Sequence, residues 1–102
     1  MHPWTPDDQA AATAFLASLD DPTQRAFLDL LITHPDERFD TAKVADRLGL
    51  VDHQAVARAT FAMGRALADV DLMRPWTEAQ MGYAISADIA TLFRSVLSSK
   101  KA

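Results

Sequence analysis

Gln54, Arg58 and Arg65 are the residues of this chain whose types and spacing suggest a chemistry. Glutamine and arginine carry long, planar hydrogen-bonding heads that reach base edges or phosphates in a DNA groove. Residues three or four apart share one side of a helix. Gln54, Arg58, Ala62 and Arg65 follow that spacing, and the small residues between the arms let a backbone approach a duplex closely. Catalysis finds no comparable support. There is no cysteine, hence no disulfide framework, thiolate ligand or thiol nucleophile. His2, His34 and His53 are far apart in sequence and lack chelating spacing, so no metal site is expected. The chain shows no glycine-rich phosphate loop and no Ser-His-Asp set at suggestive spacing, so neither an enzyme nor a cofactor is expected.

The element that must present these arms is a helix over about residues 53–69. Asp52 is a good N-cap, since its carboxylate can accept from backbone N–H groups left free in the first turn. No proline interrupts the run, and alanine, the best helix former, dominates it. Val56, Thr60, Met63 and Leu67, flanked by Phe61, give an apolar stripe for a core. Ahead of it, Asp40 or Thr41 caps a short helix with Val44, Ala45 and Leu48 as its core face. Gly49 suits a left-handed C′ position, and Leu50 supplies the apolar contact that follows it. Short helix, glycine turn, longer helix is the helix-turn-helix arrangement.

The remaining elements flank this pair. Thr5-Pro6-Asp7-Asp8 reads as a helix start running to about Leu19, with Phe15, Leu16 and Leu19 as anchors in an alanine-rich run and Trp4 as a staple. Asp21 with Gln24 is a capping-box pattern opening a second helix with Ala26, Phe27, Leu30 and Leu31 inward. His34-Pro35 stops it, His34 serving as a partner for the helix dipole. Phe39 is expected in a short strand or as a buried plug. Leu72 to Thr77 and Met81 to Ile85 read as a β-hairpin around the tip Glu78-Ala79-Gln80, with Pro75 confining the first strand to an edge. Trp76 and Tyr83 are expected as a cross-strand core pair. Ser86 caps a last helix whose face is Ile89, Leu92, Phe93, Val96 and Leu97.

The 102 residues make one domain of mainly α class, about five helices with a two- or three-stranded β-wing. Net charge is −4, distributed unevenly: residues 1–40 carry −6 and residues 41–102 carry +2. A locally basic surface on an acidic protein can still bind DNA, because distant charge is screened beyond about 8 Å at physiological salt. No stretch approaches the length of a membrane span, no basic amphipathic helix with aromatic anchors appears, and no signal peptide is visible at the N-terminus. A cytoplasmic setting is expected.

The segments Leu19-Asp20-Asp21-Pro22-Thr23-Gln24-Arg25, Phe39-Asp40-Thr41-Ala42-Lys43-Val44-Ala45-Asp46-Arg47-Leu48-Gly49-Leu50 and Gly82-Tyr83-Ala84-Ile85-Ser86 resemble winged helix-turn-helix proteins. The likeness is to ArsR-type bacterial regulators over roughly residues 14–97. Gly64-Arg65 and Arg74-Pro75-Trp76 are similar to related actinobacterial helix-turn-helix-like domains. The resemblance implies a transcriptional regulator that binds double-stranded DNA. Gln54, Arg58 and Arg65 would read or clamp the major groove, while Lys43, Arg47 and Arg74 would contact phosphates. A homodimer would set recognition helices about 34 Å apart. Its interface would use Phe15, Leu16, Leu92, Phe93 and Val96. Three features depart from the pattern: no cysteine for metal sensing, no base at the wing tip, and Asp52 at the start of the recognition helix. The alternative expectation is a protein–protein interaction module on the same fold, with Trp4 or Trp76 as exposed anchors.

Overall fold

The computed structural model describes residues 2–79 and 82–100. Among these lie five helices and one two-stranded antiparallel sheet: α1 (Gln9–Ala17), α2 (Pro22–Thr33), α3 (Thr41–Arg47), α4 (His53–Asp69), β1 (Thr77–Ala79), β2 (Gly82–Ala84) and α5 (Ala87–Lys100). The chain is a mainly helical domain with a small β-wing, as its periodicity predicts. No helix among the described residues is long and apolar enough to cross a membrane.

Local chemistry sets most of the boundaries. Asp21, Asp40 and Asp52 each precede a helix in extended backbone and accept from the N–H groups of Thr23, Lys43 and Gln54 at 2.9, 2.7 and 2.8 Å. The α3–α4 turn is a Schellman closure, with Leu50 N–H donating to Ala45 at 2.8 Å and Gly49 N–H to Asp46 at 3.2 Å. Gly49 takes φ +68° there, a conformation side chains rarely adopt. The Ser86 hydroxyl accepts from Ile89 N–H at the start of α5.

Three elements differ from expectation. The first helix starts at Gln9, not next to Thr5. The Asp8 carboxylate folds back to accept from Thr5 N–H at 2.7 Å, so residues 5–8 form a turn ahead of the helix. The first wing strand begins at Thr77; Leu72 instead bridges His2, whose N–H donates to Asp71 and whose carbonyl accepts from Met73. Glu78 therefore lies within the hairpin ladder opposite Tyr83, and the expected tip residue Gln80 lies outside the described residues.

Phe39 is both a plug and a one-residue strand. It is fully buried, and its backbone exchanges two 2.9 Å hydrogen bonds with Tyr83. Gly82 fits against that bridge; a Cβ there would lie 2.4 Å from the Phe39 carbonyl oxygen. Trp76 and Tyr83 both set their rings edge-on to Phe27 with centroids 5.2 Å away.

The terminal helices close on each other. Trp4, Phe15 and Phe93 form a triangle of rings with centroids 5.4 to 6.4 Å apart. Phe15, Leu16, Leu92, Phe93 and Val96, expected to pair two protomers, are all buried inside the single chain. They belong to its own core, because the apolar faces of α1 and α5 cover one another.

Candidate nucleic-acid interface

The outer face of α4 is where the predicted reading residues meet. Val56, Ala59, Thr60, Met63 and Leu67 are buried, which fixes the rotation of the helix. Thr60 satisfies its own hydroxyl by donating to the Ala57 carbonyl at 3.1 Å, so a polar residue sits in the core face without an orphaned group. Gln54, Arg58, Ala62 and Arg65 are all exposed on the other side, as their spacing predicts.

Phe61 corrects the sequence reading. It is 61% exposed and does not join the core stripe. Five residues after Val56, it lies roughly 140° round the helix, away from the buried side. With Gln54, Arg58 and Arg65 it completes an i, i+4, i+7, i+11 line along the solvent face. That spacing is readable in the sequence, but an aromatic beside Thr60 is more readily assigned to the interior.

The bases divide by what they hold. Arg25 donates to the Leu16 carbonyl at 3.4 Å and Arg94 to the Ile32 carbonyl at 2.9 Å, tying helix ends together. Arg47 lies 5.7 Å over the Phe39 ring. Arg74 sits 3.8 Å from the Glu78 carboxylate. Its guanidinium lies flat against α4, where a Cβ on Gly64 would fall 2.6 Å from it. Arg74 thus packs in a groove of about 600 Å³ between α4 and the wing. It joins the two elements rather than standing clear of them. Lys43, Arg58 and Arg65 are exposed and carry no side-chain hydrogen bond or ion pair among the described residues. No hydrogen bond or ion pair links Lys43 or Arg47 to the α4 arms.

The acids near this surface are largely engaged. Asp52 accepts from the Gln54 N–H as the helix cap. Glu78 accepts from the Trp76 indole N–H at 3.0 Å while facing Arg74. Asp21 shares a shallow groove with Gln24, Arg58 and Ala62, and its carboxylate accepts from Thr23 N–H.

The histidines stay apart in role. His2 meets Asp8 at 3.3 Å, His34 caps α2 at 3.9 Å from Glu37, and His53 opens α4. The tryptophans do not offer the exposed anchors expected for an interaction module. Trp76 is only 3% exposed, and Trp4 packs its ring on Phe15 and Phe93 while its indole N–H donates to the Met73 carbonyl.

No family model, curated protein or solved structure matches this chain.

Proposed function

We propose that the chain is a transcriptional regulator that binds double-stranded DNA by laying the outer face of α4 in the major groove. The observation that carries this reading is the line of Gln54, Arg58 and Arg65: exposed, unpaired, and borne on the helix that follows a tight glycine turn. Arg25, Arg47, Arg74 and Arg94 are engaged by carbonyls, a ring or a carboxylate, whereas Arg58 and Arg65, like Arg38 and Lys43, are exposed with no side-chain partner among the described residues. Exposed guanidiniums with no carboxylate at ion-pair distance suit bidentate recognition of guanine edges or phosphates. Lys43 is free to add a phosphate contact from α3. Arg74 braces the wing beside Glu78, and a phosphate contact there would compete with that carboxylate. Regulators of this kind act as homodimers in the cytoplasm; here the pairing face would have to lie outside the buried α1–α5 seam.

Anisotropy of a labelled random-sequence duplex, titrated with protein across a salt series, tests the reading. DNA binding gives a log affinity that falls linearly with log salt.

A protein-interaction module is the second reading. It is favoured by the net charge of −4 and by exposed Val51, Phe61, Val70 and Met73. It expects no salt-dependent affinity for DNA and a protein partner that co-purifies.

A further inference from the structure

Phe61 stands at the centre of the proposed reading face, yet neither the core nor the cationic arms account for it. Three observations define what it can do. Its ring is mostly exposed. Its neighbours on the surface, Ala57 and Ala62, are small and exposed, so the ring protrudes. Arg58 and Arg65 flank it at helical spacing, yet among the described residues neither guanidinium stacks on it. Ring and guanidiniums are therefore separately available to one ligand. The other large exposed apolar residues lie off this line: Val51 precedes the α4 cap, Val70 follows its last turn, and Met73 is in the connector to the wing.

A ligand for this line must present anionic or acceptor groups on both sides of an apolar group. The major groove of DNA does so. Its base edges carry one apolar group, the C5-methyl of thymine, and phenylalanine is among the side chains that meet it. At 1.5 Å of rise per residue, Phe61 lies about 4.5 Å along the axis from Arg58 and about 6 Å from Arg65. These are separations of one to two base-pair steps of about 3.4 Å.

We propose that Phe61 is a specificity-determining residue that selects thymine, its ring meeting the C5-methyl between the positions covered by Arg58 and Arg65. The proposal rests on the DNA-binding reading above and adds what the site prefers. The test separates the two. A random-sequence duplex pool is enriched on the wild-type chain, then amplified either with thymidine triphosphate or with deoxyuridine triphosphate. The second product differs only by the missing methyl groups. The wild type is expected to bind the uracil pool about fourfold more weakly, the worth of burying one methyl. Phe61→Ala is expected to bind both pools equally, with an unchanged thermal melt because the ring is exposed. A wild type that binds DNA but ignores the methyl groups overturns the thymine assignment and leaves the DNA reading standing. So does a Phe61→Ala variant that keeps the preference. Indifference to the methyls together with self-association that Phe61→Ala removes assigns the ring to a protein contact instead. No enrichment and no salt-dependent binding overturns both readings.

Discussion

The terminal helices and the α3–α4 pair spend their side chains in opposite ways. Between α1 and α5 the large side chains face inward, the Trp4, Phe15 and Phe93 rings meet, and Arg94 is drawn onto the end of α2. On α4 the inner face is just as fully buried, but the outer face keeps Gln54, Arg58, Phe61 and Arg65 without intramolecular partners. A side chain already held by its own chain has a structural account. A line of long side chains that nothing in the fold engages is left to solvent or to a ligand, and a ligand there is what we propose. Damage to the closed pair should therefore be read in stability, and damage to the open face in binding.

Phe93→Ala should show the largest loss of stability. It empties a fully buried site against Trp4 and Phe15, at a cost of about 3–5 kcal/mol, read from the urea midpoint with an unchanged slope. A loss under about 1 kcal/mol would mean the seam is not closed as described. Gly82→Ala comes next. Its φ of +118° and the Phe39 carbonyl leave no room for a Cβ, and backbone cannot swing away as a side chain could. About 2–4 kcal/mol should be lost, with the wing root loosened from α3, detectable as faster amide exchange at Tyr83 and Phe39. Wild-type exchange rates at those two amides would contradict the bridge between Phe39 and Tyr83 as the anchor of the wing.

A smaller effect belongs to the N-terminal turn. The Thr5 backbone N–H holds the Asp8 carboxyl below its ordinary value of 3.8; burial opposes this, and the His2 ring and Thr5 hydroxyl add to it. A lowered folded-state value means the turn's contribution is present above 3.8 and fades as pH falls through the lowered value. Asp8→Asn should remove that part of the acid dependence while leaving the helices intact by circular dichroism. An acid unfolding profile identical to wild type would show that the turn does not couple to folding.

Local signals made the centre of the molecule legible. Asp40, Gly49 and Asp52 act on backbone groups within a few residues of themselves, so sequence alone places α3, the turn and α4. Features that depend on distant partners were not legible in that way. Leu72 and Met73 have strand-like composition, but their pairing is with His2, some seventy residues away, rather than with the hairpin. The apolar faces of α1 and α5 signal burial without saying whether the covering surface is another protomer or the same chain. Arg74 reads as a phosphate contact, and its packing against Gly64 on α4 depends on a distant partner that its own surroundings in sequence do not signal. Phe61 reads as core on hydrophobicity, but helical phase decides its place: its neighbour Thr60 goes inward, satisfied by the Ala57 carbonyl, and the aromatic goes out.

The most direct measurement compares the wild type with the Arg58→Glu, Arg65→Glu double variant for binding to a random-sequence duplex at low and rising salt. Both positions are exposed and unpaired, so the variant's stability should stay within about 0.5 kcal/mol of wild type. The account predicts that the wild type binds with a log–log salt slope of about −0.9 for each phosphate neutralised, and that the folded double variant does not bind. Equal affinity in the two proteins, or no binding by the wild type at the lowest salt, would contradict it.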